Sequence, residues 1–176
     1  MTAPASTDPR DWIRDVPDFP KPGILFKDIT PLLADAVAFR TAIDLLAEQV
    51  RPLQPDVVVG IESRGFLFGT PLAIALGVGF VPVRKPGKLP SAATRVDYDL
   101  EYGTDAVEMH TDALEHGARA LVVDDVIATG GTARATLELV RRLGADPVGA
   151  AFLIELTFLE GGARLVPVPI VSLVRY

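Results

Sequence analysis

Two adjacent carboxylates stand between an apolar run and a glycine turn in residues 121–132, which read LVVDDVIATGGT. Glycines accept positive φ, so the turn at 128–132 can aim its backbone N–H groups at an anion, and a helix beginning behind it adds partial positive charge. Asp124 and Asp125 cannot bind that same anion, but ionised carboxylates accept hydrogen bonds from sugar hydroxyls and hold magnesium-ordered water. The residues therefore indicate a combined site for a phosphate, a ribose and a magnesium-bound group.

Each of these features is common by itself. A Gly-Gly pair is usually an ordinary strand-to-helix turn, and an aspartate after a buried strand is often a helix cap or a solvated side chain. Their combination, however, resembles the phosphoribosyl-diphosphate motif of the type I phosphoribosyltransferases. That resemblance implies Mg2+ as the cofactor, held by diphosphate and ribose oxygens and bridging waters and not directly by protein groups. It implies that Asp124 and Asp125 act in catalysis. It assigns these residues to substrate binding: Asp124, Asp125, Val126, Ile127, Ala128, Thr129, Gly130, Gly131 and Thr132.

Apolar strands that alternate with helical patterns are the elements that must position this motif. Strands are predicted ahead of the acidic pair and at 56–61, 79–83, 148–156 and 170–174, with helices at 66–76 and 132–143. This alternation predicts an α/β fold, a parallel β-sheet with helices on both faces, and the resemblance adds an N-terminal hood and a flexible flap hairpin. Residues 1–9 are predicted to form a disordered tail, and residues 10–176 a single phosphoribosyltransferase domain.

Composition narrows the class of protein. The chain of 176 residues carries 17 Lys and Arg against 23 Asp and Glu, a net charge of −6, which argues against nucleic-acid binding because that binding draws on an excess of basic residues. No apolar run approaches the roughly 18 residues that a membrane span needs. There is no cysteine for a disulfide or a thiolate, and His110 and His116 lack the spacing of metal ligands. We therefore expect a cytoplasmic protein that acts on small molecules.

Basic residues offer a second possible anion site. Arg64 follows a predicted strand in the turn 62–65, and a guanidinium can bind phosphate oxygens with two hydrogen bonds. Arg84, Lys85 and Lys88 lie close together farther along the chain. A strand-end arginine is otherwise commonly a surface residue, and a solvated loop is the default interpretation of the second cluster.

Two further segments resemble the adenine phosphoribosyltransferases in particular. Residues 18–33, DFPKPGILFKDITPLL, are similar to the segment that forms a hood over the base in that family, and residues 84–103 are similar to its flexible loop. The resemblance implies that Leu25 offers backbone hydrogen bonds to the adenine edge and that Phe26 stacks on the ring. The other residues that it assigns to the substrates are Lys27, Glu62, Ser63, Arg64, Arg84, Lys88 and Tyr102.

Within this set the resemblance also distributes roles. The turn 62–65 and Arg84 would hold the diphosphate, and Lys88 would reach it in its own subunit or in the partner's site. Tyr102 would help to close the flap. Arg64 and Glu101 would act in catalysis, with Glu101 facing the base near N7.

One position of the motif indicates which base accepts the phosphoribosyl group. The 6-oxopurine relatives typically carry an aspartate just before Thr-Gly, whereas this chain has Ala128. A group that exchanges a proton with N7 must then come from elsewhere, and Glu101 is the candidate. A carbonyl at Leu25 can accept from a 6-amino group but would meet a 6-oxo group lone pair to lone pair. Adenine is therefore the predicted acceptor, with Val126 standing where a leucine usually contacts the base.

The resemblance as a whole predicts a homodimeric enzyme of purine salvage. It would transfer the 5-phosphoribosyl group of 5-phosphoribosyl 1-diphosphate to N9 of adenine, giving AMP and diphosphate. Two alternatives stay open: a phosphoribosyltransferase for hypoxanthine, guanine or orotate, and a nucleotide-sensing regulator that keeps the fold without catalysis. The regulator would be expected to carry a DNA-binding segment, whereas this chain has Glu101 and no basic helical extension.

Overall fold

A parallel sheet of five strands forms the centre of the structure, a computed structural model that describes residues 8–99 and 103–176. The strands and helices follow one another as β1 (Arg14–Pro17), β2 (Leu25–Asp28), α1 (Thr30–Ala34), α2 (Ala36–Val50), β3 (Val57–Ile61), α3 (Gly65–Leu76), β4 (Gly79–Val83), β5 (Ala93–Asp99), β6 (Thr104–His110), β7 (Arg119–Ile127), α4 (Gly131–Arg142), β8 (Asp146–Glu155) and β9 (Ile170–Arg175). The order in the central sheet is β4-β3-β7-β8-β9, and each neighbouring pair is parallel. None of the helices within these ranges is long and apolar enough to cross a membrane.

Both faces of the sheet are covered. In β7, Leu121 and Val123 are buried in the layer that contains α1, α2 and α3, whereas Ala120 and Val122 are buried in the layer that contains α4 and the β5–β6 hairpin. Successive side chains of a strand point to opposite faces, so a strand that is buried on both must be apolar throughout. The continuous apolar runs of the sequence have this cause, and the predicted α/β architecture is confirmed.

Two antiparallel strand pairs lie outside the central sheet. β1 and β2 form the hood, which includes Phe26. β5 and β6 form the predicted hairpin, with Tyr98 opposite Asp105. Glu101 and Tyr102, to which the resemblance assigns roles, lie outside the described residues.

The described domain begins slightly before the predicted boundary at residue 10. Asp8 accepts a hydrogen bond from the N–H of Arg10 at 2.9 Å and caps a short 3-10 helix at Pro9–Trp12. Pro9 is buried. The segment predicted as a tail therefore overlaps the folded domain at Asp8 and Pro9.

Candidate functional site

The two predicted anion-binding turns meet at one edge of the sheet. β3 and β7 are adjacent and parallel, so the turns that follow Ile61 and Ile127 emerge together at the carboxyl ends of these strands. Gly65 permits their close approach, since a Cβ there would lie 2.7 Å from the carbonyl oxygen of Val123 and 3.0 Å from Asp124 Oδ1. Any larger side chain would push the first turn away from the acidic pair.

Arg64 and the acidic pair form the charged centre of this edge. Arg64 Nε lies 2.8 Å from Asp125 Oδ2. Asp125 is only 3% exposed, and no described donor meets this oxygen in hydrogen-bonding geometry. The contact is therefore a close ion pair that leaves lone pairs of the carboxylate available. Asp124 Oδ1 accepts from the N–H of Asp125 at 2.8 Å, which holds the two carboxyl groups side by side.

The surroundings of the acidic pair disfavour its full ionisation. Burial raises the pKa of Asp124 well above its usual range, and the negative charge of Asp125 raises it further. Burial also raises the pKa of Asp125, although the Arg64 guanidinium opposes that shift. Two like charges held together away from water are costly unless a ligand compensates them. Hydroxyl donors or a hydrated cation would relieve this cost.

The oxygen donors of this edge fit a magnesium ion that is bound through water and substrate. Mg2+ prefers oxygen ligands and keeps several of its waters, and Asp125 Oδ2, which lacks a hydrogen-bond donor, can accept from such a water. In the part of the chain that the structure describes, no three His, Cys, Asp or Glu side chains gather into a direct metal site. Asp124 and Asp125 are the residues that would hold the ion through its water shell.

The turn after β7 surrounds a small polar cavity. Gly130 precedes α4 with a φ of +79°, and no side chain caps this helix. The first N–H groups of a helix have no acceptor within it, so α4 offers donors and the positive end of its dipole to an anion in the cavity. The cavity has a volume of about 100 Å3 and is lined by Asp124, Val126, Ile127, Ala128, Thr129, Gly130, Gly131, Thr132 and Ala133.

A glycine outside the motif supports the turn 128–132, which we call the phosphate turn after its predicted role. A Cβ on Gly161 would stand 2.1 Å from the carbonyl oxygen of Ala128, and a Cβ on Gly130 would stand 2.6 Å from the carbonyl oxygen of Gly161. The two backbones are therefore in direct contact, with no room for a side chain between them. The position of the turn depends on a segment that follows β8.

The hood brings Phe26 to the same charged centre. The guanidinium carbon of Arg64 lies 5.6 Å from the centroid of the Phe26 ring, within the range of a cation–π contact. Phe19 packs edge-on against Phe26, with the two centroids 5.1 Å apart. Phe19 and Leu25 are each about half exposed. An accessible apolar surface beside a guanidinium suits a flat aromatic ligand.

The Lys27 side chain points to the C-terminal strand. Its Nζ lies 2.6 Å from Asp15 Oδ1 and 3.7 Å from the centroid of the Tyr176 ring. The guanidinium carbon of Arg10 lies 4.9 Å from the same centroid, and Arg10 also donates to the carbonyl oxygen of Arg175 at 2.8 Å. These contacts fasten the hood to the end of β9. A direct role of Lys27 in substrate binding stays a prediction.

Glu62 gathers the basic residues of the second anion site. Its carboxylate accepts from Arg84 Nε at 2.9 Å, from the Lys85 N–H at 2.8 Å and from the Lys88 ammonium group. Burial opposes ionisation of Glu62, but these hydrogen bonds outweigh it and lower the pKa to about 2. Ser63 is exposed, and the Glu62–Ser63 peptide bond is cis. The structure thus brings the predicted residues of this turn and of the basic cluster together.

Three residues near this edge are not evident as functional candidates in the sequence: Phe19, Tyr98 and Gly161. Phe19 carries a usable signal, since it is an aromatic residue of the same proline-rich segment as Phe26. Tyr98 lies in an alternating strand pattern, where an aromatic residue usually packs on the core. Gly161 carries no local signal, because the glycine pair at 161–162 indicates only a turn.

Known proteins of one family are similar to this chain over nearly its whole length. A family model described as the phosphoribosyl transferase domain matches residues 32–168. An adenine phosphoribosyltransferase of Nostoc punctiforme is 57% identical over 171 residues, which cover 96% of this chain and 99% of the relative. The crystal structure of an adenine phosphoribosyltransferase from Thermoanaerobacter pseudethanolicus matches with a TM-score of 0.93 at 52% identity, covering 95% of this chain and 97% of that one. The Saccharomyces cerevisiae enzyme, solved with adenine and an imino-altritol bisphosphate, matches with a TM-score of 0.88 at 44% identity, covering 93% and 95%.

Proposed function

The chain belongs to the phosphoribosyltransferase family and, within it, to the adenine phosphoribosyltransferases, and we propose that the acidic pair, the phosphate turn and the hood carry out its reaction. That reaction transfers the 5-phosphoribosyl group of 5-phosphoribosyl 1-diphosphate to N9 of adenine and releases AMP and diphosphate, a step of purine salvage. One observation carries the assignment of the site. The Arg64 guanidinium adjoins both Asp125, at 2.8 Å, and the Phe26 ring, at 5.6 Å, so the groups for the sugar and for the base meet at one cation.

The phosphate turn would receive the 5-phosphate of the substrate. Its uncapped helix end and its cavity of about 100 Å3 support this assignment, because backbone N–H groups at a helix N-terminus are good phosphate donors. The ribose hydroxyls would donate to Asp124 and Asp125. Those bonds stabilise the ionised carboxylates, which burial otherwise disfavours.

The leaving diphosphate would be held by the turn 62–65 and by the cations that Glu62 gathers. As the bond from C1′ to the diphosphate oxygen breaks and the bond from N9 to C1′ forms, C1′ passes through an oxocarbenium-like state, and no protein nucleophile is needed. Arg64, Arg84 and Lys88 stabilise the charge that develops on the leaving group. Magnesium, when bound, neutralises part of that same charge.

The hood would select the base. The Phe26 ring would stack on adenine, the Leu25 backbone would accept from its 6-amino group, and Val126 would line the pocket. Adenine would react as its N7–H tautomer, so that the N9 lone pair bonds to C1′ while Glu101 accepts the proton that leaves N7. Tyr102 would help the flap to close and exclude water.

A time course of AMP formation by the purified chain tests the reaction. Adenine with 5-phosphoribosyl 1-diphosphate and Mg2+ should give AMP and diphosphate in equal amounts, and chelation of the metal should stop the reaction until Mg2+ is restored. Conversion of hypoxanthine, guanine or orotate at a comparable rate would instead favour a phosphoribosyltransferase for that base. Nucleotide binding without release of diphosphate would favour the regulator.

Gly161→Ala is expected to raise the KM for 5-phosphoribosyl 1-diphosphate on the order of 10-fold or more, because a displacement of the phosphate turn by about an ångström is costly. The added Cβ would stand 2.1 Å from the carbonyl oxygen of Ala128, and backbone must move to admit it. Steady-state kinetics with each substrate varied measures the effect. Gly162→Ala is the matched control, since its Cβ meets only the side-chain ends of Glu155 and Ile170, at 3.0 and 3.1 Å. Equal effects of the two variants would contradict the supporting role of Gly161.

Asp124→Asn is expected to stabilise the free protein while weakening substrate binding. The pKa of Asp124 is raised in the folded state, so the folded state holds the proton more tightly than the unfolded state, and stability falls as pH rises through that pKa. The melting temperature of the variant should therefore exceed that of the wild type at about pH 8, by roughly 2–4 °C for each kcal/mol relieved, and the gain should shrink at about pH 5.

Thermal melts of the free protein across this pH range, together with the KM for 5-phosphoribosyl 1-diphosphate, measure both effects. Asp44→Asn, at an exposed position of α2, should leave the profile unchanged. A variant that melts below the wild type at every pH would refute the assigned cost of ionising Asp124.

The homodimer that the family resemblance implies is also a proposal. Val37, Leu67 and Ile74 are exposed apolar residues of the contacting helices α2 and α3, and a patch of such side chains would suit an interface. Sedimentation of the purified protein should give twice the chain mass of 18.8 kDa. A cytoplasmic location stays a prediction.

A further inference from the structure

The hydroxyl of Tyr98 is bonded to three partners at once. It accepts a hydrogen bond from Thr132 Oγ1 at 3.0 Å and another from the Lys85 ammonium group at 2.9 Å, and it donates to Asp105 Oδ2 at 3.0 Å. A phenol oxygen carries one proton and has lone pairs for two donors, so its capacity is filled. A continuous chain of hydrogen bonds thus joins the flap hairpin to the phosphate turn.

The partners on the hairpin side hold the Tyr98 hydroxyl in place. Tyr98 and Asp105 are directly opposite each other in β5 and β6, and the Tyr98 ring packs against the buried core beneath α4. Lys85 pairs with Asp105 and lies 5.5 Å from the Tyr98 ring centroid. Burial disfavours the ionised forms of Lys85 and Asp105, but the hydrogen bond between them raises the pKa of Lys85 and lowers the pKa of Asp105. The pair therefore stays ionised and anchors the phenol.

We propose that Tyr98 is a positioning residue, which acts through Thr132 by orienting the Thr132 hydroxyl toward the 5-phosphate of the substrate. The inference rests on the proposed function of the phosphate turn. Thr132 has a single hydroxyl proton, and in the free protein that proton goes to Tyr98. A phosphate oxygen in the adjoining cavity is the stronger acceptor, because it is charged.

Substrate binding then reverses the hydrogen bond between Thr132 and Tyr98 and gives up the one from Tyr98 to Asp105. The Thr132 hydroxyl turns its proton from Tyr98 to the phosphate, which leaves a lone pair of Thr132 Oγ1 facing Tyr98. The Tyr98 hydroxyl then turns its own proton from Asp105 to that lone pair. Asp105 keeps the hydrogen bond from Lys85. Each group keeps at least one hydrogen-bond partner, so Thr132 Oγ1 is already held in position and only its proton has to turn when the phosphate arrives. Such preorganisation lowers the cost of binding.

Tyr98→Phe tests the proposal, since it removes the hydroxyl and keeps the ring. Without the phenol, Thr132 loses the donor that supports it in the bound state. The dissociation constant for ribose 5-phosphate and the KM for 5-phosphoribosyl 1-diphosphate should both rise about 3- to 10-fold. The dissociation constant for diphosphate alone and the KM for adenine should stay at their wild-type values, because those ligands bind to other turns. Calorimetry and steady-state kinetics supply the four constants.

Two comparisons separate positioning from a merely structural role. Thr111→Val removes a hydroxyl from the other end of the hairpin, 3.4 Å from the carbonyl oxygen of Ala92, and should change none of the four constants. In a Thr132→Val background, Tyr98→Phe should add nothing to the loss of ribose 5-phosphate binding, because both changes interrupt the same bond. A further loss in the double variant would mean that Tyr98 does not act through Thr132.

Other outcomes also distinguish this proposal from the proposed reaction. Equal weakening of ribose 5-phosphate and diphosphate by Tyr98→Phe, or no change in either, would overturn the positioning role. Ribose 5-phosphate binding is measured without turnover. A wild-type protein that forms no AMP would therefore count against the reaction, whereas a selective loss of ribose 5-phosphate binding would still support the assignment of Tyr98.

Discussion

Replacement of Arg64 by alanine should lower kcat/KM for 5-phosphoribosyl 1-diphosphate by about 10³-fold, toward the upper end of what one stabilising contact supplies to a transition state. Arg64 is the cation nearest to the acidic pair, with Nε 2.8 Å from Asp125 Oδ2. Its removal takes a positive charge from the leaving diphosphate and leaves the buried Asp125 without a counter-ion. The loss should appear in kcat as well as in KM, because the charge on the diphosphate grows as its bond to C1′ breaks.

The same variant has a predictable pH dependence. The positive charge of Arg64 lowers the pKa of both carboxyl groups against the effect of burial. Without it, both pKa values rise further. The carboxyl groups then take up protons at a higher pH, so the residual activity of Arg64→Ala should be lost on acidification at a higher pH than that of the wild type.

Two further variants control for charge alone. Arg64→Lys keeps the charge but loses the planar fork of the guanidinium, and should fall between alanine and the wild type. Arg95→Ala removes an exposed hairpin arginine that is paired with Asp97 at 2.6 Å, and should be close to wild type. An Arg64→Ala enzyme within a few fold of the wild type would remove Arg64 from the mechanism.

Glu101→Gln should lower kcat by about 10²-fold or more, the usual contribution of a positioned proton acceptor. The described carboxylates of the site are already engaged. Glu62 accepts from three donors and has a pKa of about 2, which makes it a poor base near neutral pH. Asp124 and Asp125 are proposed to bind the ribose hydroxyls, and Ala128 carries no acidic group. We therefore propose that the N7 proton goes to a group other than these described carboxylates, and Glu101 is the residue that the family resemblance supplies.

Measurement of each kinetic constant identifies the step that Glu101 serves. Glutamine preserves the size of the side chain, so the KM for 5-phosphoribosyl 1-diphosphate and the melting temperature should stay near their wild-type values. Asp97→Asn removes a carboxylate from the same hairpin, where it is paired with the exposed Arg95, and should leave kcat unchanged. Near-normal turnover by Glu101→Gln would exclude it as the proton acceptor.

Local patterns in the sequence were sufficient for the architecture. The apolar runs of β3, β7 and β8 predict buried parallel strands because side chains on both faces must be apolar. The prolines before Leu25 argue against a helix there, whereas the hood is predicted from the family resemblance. Residues 121–132 predict a strand, a turn and a helix in that order, although β7 continues through the acidic pair to Ile127 and does not end before it. Each of these features depends on neighbours in the chain, so each can be recognised without knowledge of the fold.

Only the tertiary structure decided which side chains meet. Arg64 could have been a solvated strand-end residue, but the adjacency of β3 and β7 sets it against Asp125 and the hood. The Lys27 ammonium group lies against Asp15 and the Tyr176 ring, contacts that the sequence does not indicate. The contacts of Gly161 with Ala128 and of Tyr98 with Thr132 join segments that are distant in the chain. Such contacts depend on how the helices and strands pack together, and no local periodicity or composition encodes that packing. The sequence therefore determined which residues the site contains, and the fold determined which of their side chains meet.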